Sequence, residues 1–344
     1  MHSARASLLA LVAAAPGLAC AVAPGRAPER PEAAEGRFSG DAALAELHAL
    51  MDLPRALGDP RRAASIDALE SRLRSRGAAA VARFDHQGAD PWSGEAMAMT
   101  TLVAAFRPEA PRRFILATHF DTRPWAEADP DPSRRDRPIP GANDGTSGAA
   151  LLLELAPRLL GTLDPDVGFW VIFFDGEELG RPPETGYCAG SRALAEAIAS
   201  GERGDLAELR GAAFAVVLDM IGDAELTIAP EARSMSFAPW LIEQVWRSAA
   251  ARAPAAFVDG PIRTITDDHV ALAGLGIPSI LLIDSAYPPW HTHEDTIARV
   301  SAASLGAVGE VLVDALLELS TGPWPPSPRP LDPAAADGAA RDRS

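Results

Sequence analysis

The chain contains no lysine: every one of its 31 basic side chains, histidine apart, is an arginine. That absence removes the lysine Schiff base and the phosphate-binding P-loop, since each depends on a lysine amine. Cysteine is almost as scarce, with Cys20 and Cys188 the only two. A mature chain whose Cys20 carries a lipid has no second free thiol to pair with Cys188, so stability must come from the core. Basic charge is also in deficit. The 47 acidic residues leave a formal net charge of −16, no basic stripe exists to neutralise phosphates, and a nucleic-acid partner is excluded. No internal repeat is present. The N-terminal apolar stretch from Leu8 to Ala15 is too short to span a bilayer as a stable helix.

That stretch belongs to a targeting pattern. "MHSARASLLALVAAAPGLAC" carries an early Arg, an apolar run and small residues before Cys20, the layout of a signal peptide over 1–20. Gly17-Leu18-Ala19-Cys20 resembles a bacterial lipoprotein cleavage box, with plain cleavage between Ala19 and Ala23 as the alternative. The expected product is exported, to the cell envelope or beyond. Residues 21–40 are Pro-, Ala- and charge-rich without periodicity and read as a tether; 321–344 are Pro-rich and read as a disordered tail. Between them, 41–320 has the length of one large domain.

Within that domain helical and strand patterns alternate. "DAALAELHALMDL" and "PRRAASIDALESRLRSRG" are periodic as amphipathic helices, the second starting on Pro60. "AMAMTTLVAAF" and "RFILATHFD" are expected as neighbouring strands joined by a Pro-containing turn. "SGAALLLELAPRLL", "GSRALAEAIASG", "APWLIEQVWRSAAAR" and "SAASLGAVGEVLVDALLEL" predict helices. "VGFWVIFFD", "AAFAVVLDM" and "IPSILLID" predict strands. The expectation is a three-layer α/β/α sandwich around a mixed, mostly parallel sheet, with ligands bound beyond the carboxyl ends of its strands.

The residues just beyond each strand carry the chemistry. "RFILATHFDT" ends in His119 and Asp121; "VGFWVIFFDGEE" in Asp175, Glu177 and Glu178; "AAFAVVLDMIGD" reaches Asp219; "IPSILLIDSAYPPWHTHED" leads to His291; "IPGANDGTSG" sets Asp144 before a helix. Taken singly, each has an ordinary explanation. His119 could be a bonded core histidine, Asp144 a turn residue, Asp219 a strand end, and Glu177-Glu178 a solvated pair. Together, five segments deliver imidazole and carboxylate to one sheet edge, a donor set suited to zinc. Cys188 reads as a small buried residue, with no histidine beside it in sequence to activate a nucleophile.

In order, His-x-Asp, Gly-Ala-Asn-Asp-Gly, Asp-Gly-Glu-Glu, Leu-Asp-Met-Ile-Gly, Asp-Asp-His and Trp-His-Thr resemble the zinc aminopeptidase and glutaminyl cyclase superfamily, over roughly Met99 to Leu319. The resemblance implies a zinc exopeptidase-like fold and peptide or protein N-termini as substrate. It places His119, Asp144, Glu178, Asp219 and His291 at the five metal-ligand positions of the two-zinc peptidases, and Glu177 at the catalytic carboxylate. In the cyclases one zinc on Asp144, Glu178 and His291 suffices, and the position of Asp267 joins those of Asp219 and Glu177 in a hydrogen-bonded network.

Cyclase is the main expectation. "GYCAGSRALA", Asp267-Asp268-His269 and Trp290 before His291 resemble cyclase motifs, and Trp290 would wall a glutamine pocket. "GANDGTSG" resembles the peptidase loop instead, and no Trp follows the acidic pair within "LGRPPETGY", which keeps a two-zinc aminopeptidase open. A metal-free binding domain is the third possibility. "FDTRPWAEADPDPSRRDRPIPG" is expected to rim the pocket, with Trp125 contacting substrate or pinning the loop. His293, two residues from His291, is expected to point away if that segment is extended.

Overall fold

A fully apolar eight-residue strand can satisfy its surroundings only inside a sheet covered on both faces, and this fixes the centre of the molecule. The structure, a computed structural model, describes residues 38–91, 93–181, 186–322 and 324. The expected signal segment, nearly all of the tether and most of the tail lie outside the described residues. In chain order the elements are α1 (Gly40–Met51), α2 (Arg62–Ser75), β1 (Ala80–Ala89), β2 (Ala96–Phe106), β3 (Arg112–His119), α3 (Ser147–Thr162), β4 (Val167–Phe174), α4 (Ala189–Ser200), β5 (Ala215–Asp219), α5 (Ala232–Phe237), α6 (Pro239–Arg252), α7 (Asp268–Gly274), β6 (Ser279–Ile283) and α8 (Ala302–Thr321).

The six strands form one sheet in the order β1-β2-β4-β3-β5-β6. Pairings among β4, β3, β5 and β6 are parallel; β1 with β2 and β2 with β4 are antiparallel. The expected adjacency of β2 and β3 is therefore wrong. β4 lies between them, pairing Leu102 with Phe173 on one side and Leu116 with Val171 on the other. Every residue of β4 is buried, so its place is central, and the short β2–β3 connection steps over it. β1 went unforeseen because it is an edge strand with one fully buried residue, Phe84. The second helix begins at Arg62, after a turn that includes Pro60.

Side chains alternate across the sheet as the pleat requires. Phe169, Val171 and Phe173 of β4 face a core shared with α1, α2, α3, α6 and α8. Trp170, Ile172 and Phe174 face a second core shared with α4 and α7. These two cores are the seams of the α/β/α sandwich. At the amino end of the described chain the ring of Phe38 lies against Gly309 of α8, and its backbone N–H donates to Glu310 Oε1 at 2.8 Å. No helix among the described residues is long and apolar enough to cross a membrane.

Candidate metal centre and active site

Because β3, β4 and β5 run parallel, their carboxyl ends meet at one edge, and His119, the Asp175–Glu178 turn and Asp219 arrive there together. Asp144 comes from the loop ahead of α3, and His291 from the turn after β6. His119 Nε2 lies 3.1 Å from Asp219 Oδ1 and 3.3 Å from Asp144 Oδ1. His291 Nε2 lies 3.4 Å from Glu178 Oε2 and 3.9 Å from Asp144 Oδ2. Asp144 thus belongs to two triads, His119–Asp144–Asp219 and Asp144–Glu178–His291. In each, the candidate ligand atoms lie within 4.8 Å of one another.

Bonds from outside the ligand set hold it in shape. Asp121 accepts the backbone N–H groups of Glu177 and Glu178 at 3.2 and 3.1 Å, while its own carbonyl takes His119 Nδ1–H at 3.2 Å. Asp295 accepts the N–H groups of Asn143 and Asp144 at 2.8 and 3.1 Å and the Tyr287 hydroxyl at 2.7 Å. Glu127 takes His291 Nδ1–H at 2.7 Å. Buried Arg62 pairs with Asp175 at the start of the acidic turn. Gly145 and Gly176, at φ +85° and +84°, permit the tight turns. A Cβ on Gly145 would stand 2.2 Å from the Asp121 carbonyl oxygen, and one on Gly176 2.1 Å from Met99 Sδ. Among the described residues four non-glycines have positive φ, and three of them, Cys188, Met220 and His291, sit at this site. Such strain persists only where surrounding structure enforces it.

Glu177 belongs to a third cluster, its carboxylate lying within 4.8 Å of donor atoms of His119 and Glu178. Burial, and then the neighbouring Glu178, push its carboxyl well above the usual carboxylate range. Glu178 moves the opposite way: burial opposes its ionisation, but His291 and Arg123 outweigh that and hold it low. Burial likewise opposes charge on His291, yet Glu178 and Glu127 lift it to about 9. Cys188 is buried, and its thiol donates to Glu177 Oε1 at 3.2 Å. Burial and the Glu177 charge raise the thiol well above its ordinary value, so it stays protonated and is no nucleophile.

The residues fit a cation. Three buried carboxylates and two imidazoles converge, and Glu178 Oε1 is a buried oxygen without a hydrogen-bond partner among the described residues. A buried carboxylate oxygen left unmet, on a residue that clusters with Asp144 and His291, is the donor chemistry that zinc takes.

Asp267, expected in the network, caps α7, its carboxylate accepting Asp268 N–H at 2.5 Å. Burial and the charge of Asp219 raise it well above its ordinary value. Trp290 is 42% exposed and stacks on the His291 ring at 3.6 Å, so it lies at the surface beside a candidate ligand and is not core packing. Trp125 instead lies over the Arg123 guanidinium at 5.1 Å and packs against the Leu57–Met99–Leu179 cluster, which pins the loop. His293 points away from the site: the segment turns, and its Nδ1–H meets Asp129 Oδ2 at 2.8 Å. Sequence reasoning did not single out Arg123, Glu127 and Asp295. Each sits in an acidic or arginine-rich loop where composition gives no hint of a partner so far along the chain.

The geometry has counterparts among known proteins. The model of peptidase family M28 matches residues 101–316. The chain belongs to peptidase family M28. A glutaminyl cyclase of Porphyromonas gingivalis superposes on this M28 member with a TM-score of 0.75 at 33% identity, covering 82% of this chain and 98% of that one. A Zn-dependent exopeptidase of Parabacteroides distasonis gives 0.74 at 29%, covering 81% and 98%. The glutaminyl-peptide cyclotransferase of Bos taurus is 29% identical over 252 residues, 64% of this chain and 66% of that protein. The chain spans about two thirds of the length of such curated relatives. Family and neighbours alike imply zinc at this site.

Proposed function

We propose that this M28 member is a glutaminyl-peptide cyclotransferase that works with one zinc ion, converting the N-terminal Gln of a peptide or protein to pyroglutamate with loss of ammonia. The observation that carries this reading is the unequal spacing of the two triads. Ligand atoms around a tetrahedral zinc stand about 3.4 Å apart, given bonds of roughly 2.1 Å. His291, Glu178 and Asp144, at 3.4 and 3.9 Å, leave room for an ion. His119 Nε2, at 3.1 Å from Asp219 and 3.3 Å from Asp144, is within hydrogen-bond distance of both carboxylates. The cyclotransferases and glutaminyl cyclases among the relatives support the same reading.

Asp144, Glu178 and His291 would hold the zinc, which would supply Lewis acidity toward the side-chain carbonyl oxygen of the substrate glutamine. Glu177 takes a proton from the substrate α-amine as its nitrogen attacks the carbonyl carbon of the side-chain amide. The new C–N bond closes the ring, the C–NH2 bond breaks, and Glu177 returns the proton to the departing ammonia. Burial and Glu178 keep Glu177 basic enough for both transfers. Asp219 and Asp267 share protons behind it, and His119 orients Asp219. Trp290 walls the glutamine side chain, and Trp125 pins the loop that carries Arg123 and Glu127.

The second reading is a two-zinc aminopeptidase, favoured by the compactness of His119, Asp144 and Asp219. Peptides beginning with Gln and with Leu separate the two by mass spectrometry. Loss of ammonia from the first with the second intact supports the cyclase; release of a free first residue from either overturns it. A metal-free binding domain would retain no zinc after dialysis. We propose further that the chain is one catalytic domain exported behind residues 1–20, with a lipid on Cys20. A lipid-sized mass increase at Cys20 in a membrane fraction tests the anchor, and a soluble unmodified product overturns it.

A further inference from the structure

Arg123 is fully buried between the rings of Trp125 and Tyr187, at 5.1 and 5.2 Å. Its guanidinium donates to the Glu178 carbonyl oxygen at 2.9 Å, to Glu178 Oε2 at 3.3 Å and to the Tyr187 hydroxyl at 3.1 Å. The remaining bonds go to Glu127, to Oε2 at 2.8 Å and Oε1 at 2.5 Å. Glu127 Oε1 also takes His291 Nδ1–H at 2.7 Å. One arginine therefore links two candidate ligands from separate loops, directly to Glu178 and through Glu127 to His291.

We propose that Arg123 and Glu127 are positioning residues that clamp the Glu178–His291 half of the site, Glu127 fixing the ring and tautomer of His291 and Arg123 fixing Glu127. The inference rests on the zinc site of the cyclase reading. His291 has a left-handed backbone, φ +56°, so its ring is not set by a favoured local conformation. A carboxylate on Nδ1–H leaves the Nε2 lone pair facing Glu178 and Asp144 and makes the ring a stronger donor to a metal. Glu127 is itself partly exposed, its side chain 28% accessible, and would rotate into solvent without its two bonds to Arg123. The other half of the site has a different support, since Asp121 orients His119 through a backbone carbonyl. The clamp thus acts on one ligand pair only.

The test is the zinc dissociation constant of the purified full chain, read by competition with a chromogenic chelator, for the parent, Glu127→Ala and Glu127→Gln. Glu127→Ala is expected to weaken zinc binding about 10- to 100-fold. Glu127→Gln, which keeps an acceptor oxygen for Nδ1–H, should lose about 3- to 10-fold, an intermediate effect. Zinc affinity in Glu127→Ala within about twofold of the parent overturns the clamp. If the alanine variant does not fold, the glutamine variant decides by the same twofold limit. Failure of the cyclase reading registers separately, as a parent that releases Leu from a Leu peptide, whatever the zinc affinities.

Discussion

Replacing Glu177 by Gln removes one proton acceptor and almost nothing else. The side chain keeps its length, and an amide oxygen can still accept the Cys188 thiol, now 3.2 Å from Oε1. The backbone N–H remains on Asp121, so the adjoining Glu178 stays in place and zinc should be retained at parental stoichiometry. Positioned proton transfer is worth about 10²- to 10⁴-fold in rate, or roughly 3 to 6 kcal/mol of barrier at about 1.4 kcal/mol per decade. Ammonia release from a saturating Gln peptide should therefore fall by that factor while KM changes little. Stability should not fall with it. Burial and Glu178 make the ionised Glu177 costly, so a neutral amide should leave the thermal midpoint equal or higher. Turnover within about tenfold of the parent would refute the proton-transfer role. Loss of zinc along with activity would show that Glu177 supports the ligands and is not the acid–base group.

His119→Ala should keep ammonia release within about tenfold of the parent, since no step is assigned to a metal on that side; a near-complete loss would point to two zincs. Gly176→Ala must adopt φ +84° and place a Cβ 2.1 Å from Met99 Sδ. About 1–2 kcal/mol of backbone strain and 1–3 of overpacking should lower the urea midpoint, and an unshifted midpoint would sink the steric argument. Burial pushes Asp268 up to about 7, above the ~3.9 of an unfolded aspartate. The folded state thus holds this proton more tightly, and its advantage, complete below pH ~4, is lost as pH rises through about 7. Asp268→Asn should accordingly stabilise the protein at pH 8, by at most about 4 kcal/mol, and make no difference below pH ~4. A less stable variant at pH 8 would contradict this sign.

Residue type and strand-end position made the candidate ligand set legible. Imidazole and carboxylate beyond four apolar runs needed no coordinates to be grouped, because parallel strands bring their carboxyl ends to one edge. Strand order was not legible in the same way. The short connection after β2 suggested a hairpin, and only the two-sided burial of β4 shows why that strand takes the central place. The supporting residues were hidden for a different reason. Asp295 and Glu127 act through bonds to residues 152 and 164 positions away, and a carboxylate in an acidic loop carries no local sign of such a partner. Asp121 was visible beside His119, but its bonds to the Glu177 and Glu178 backbone were not. Trp290 could have been core; its exposure and its stacking on His291 put it at the surface beside that residue.

The most direct measurement is a titration of zinc-free protein with zinc, following ammonia release from a Gln peptide and free leucine from a Leu peptide in parallel. A single-zinc cyclase predicts that ammonia release reaches its plateau at one zinc per chain with no leucine released. Activity that rises until two zincs are bound, with leucine as the product, would contradict it.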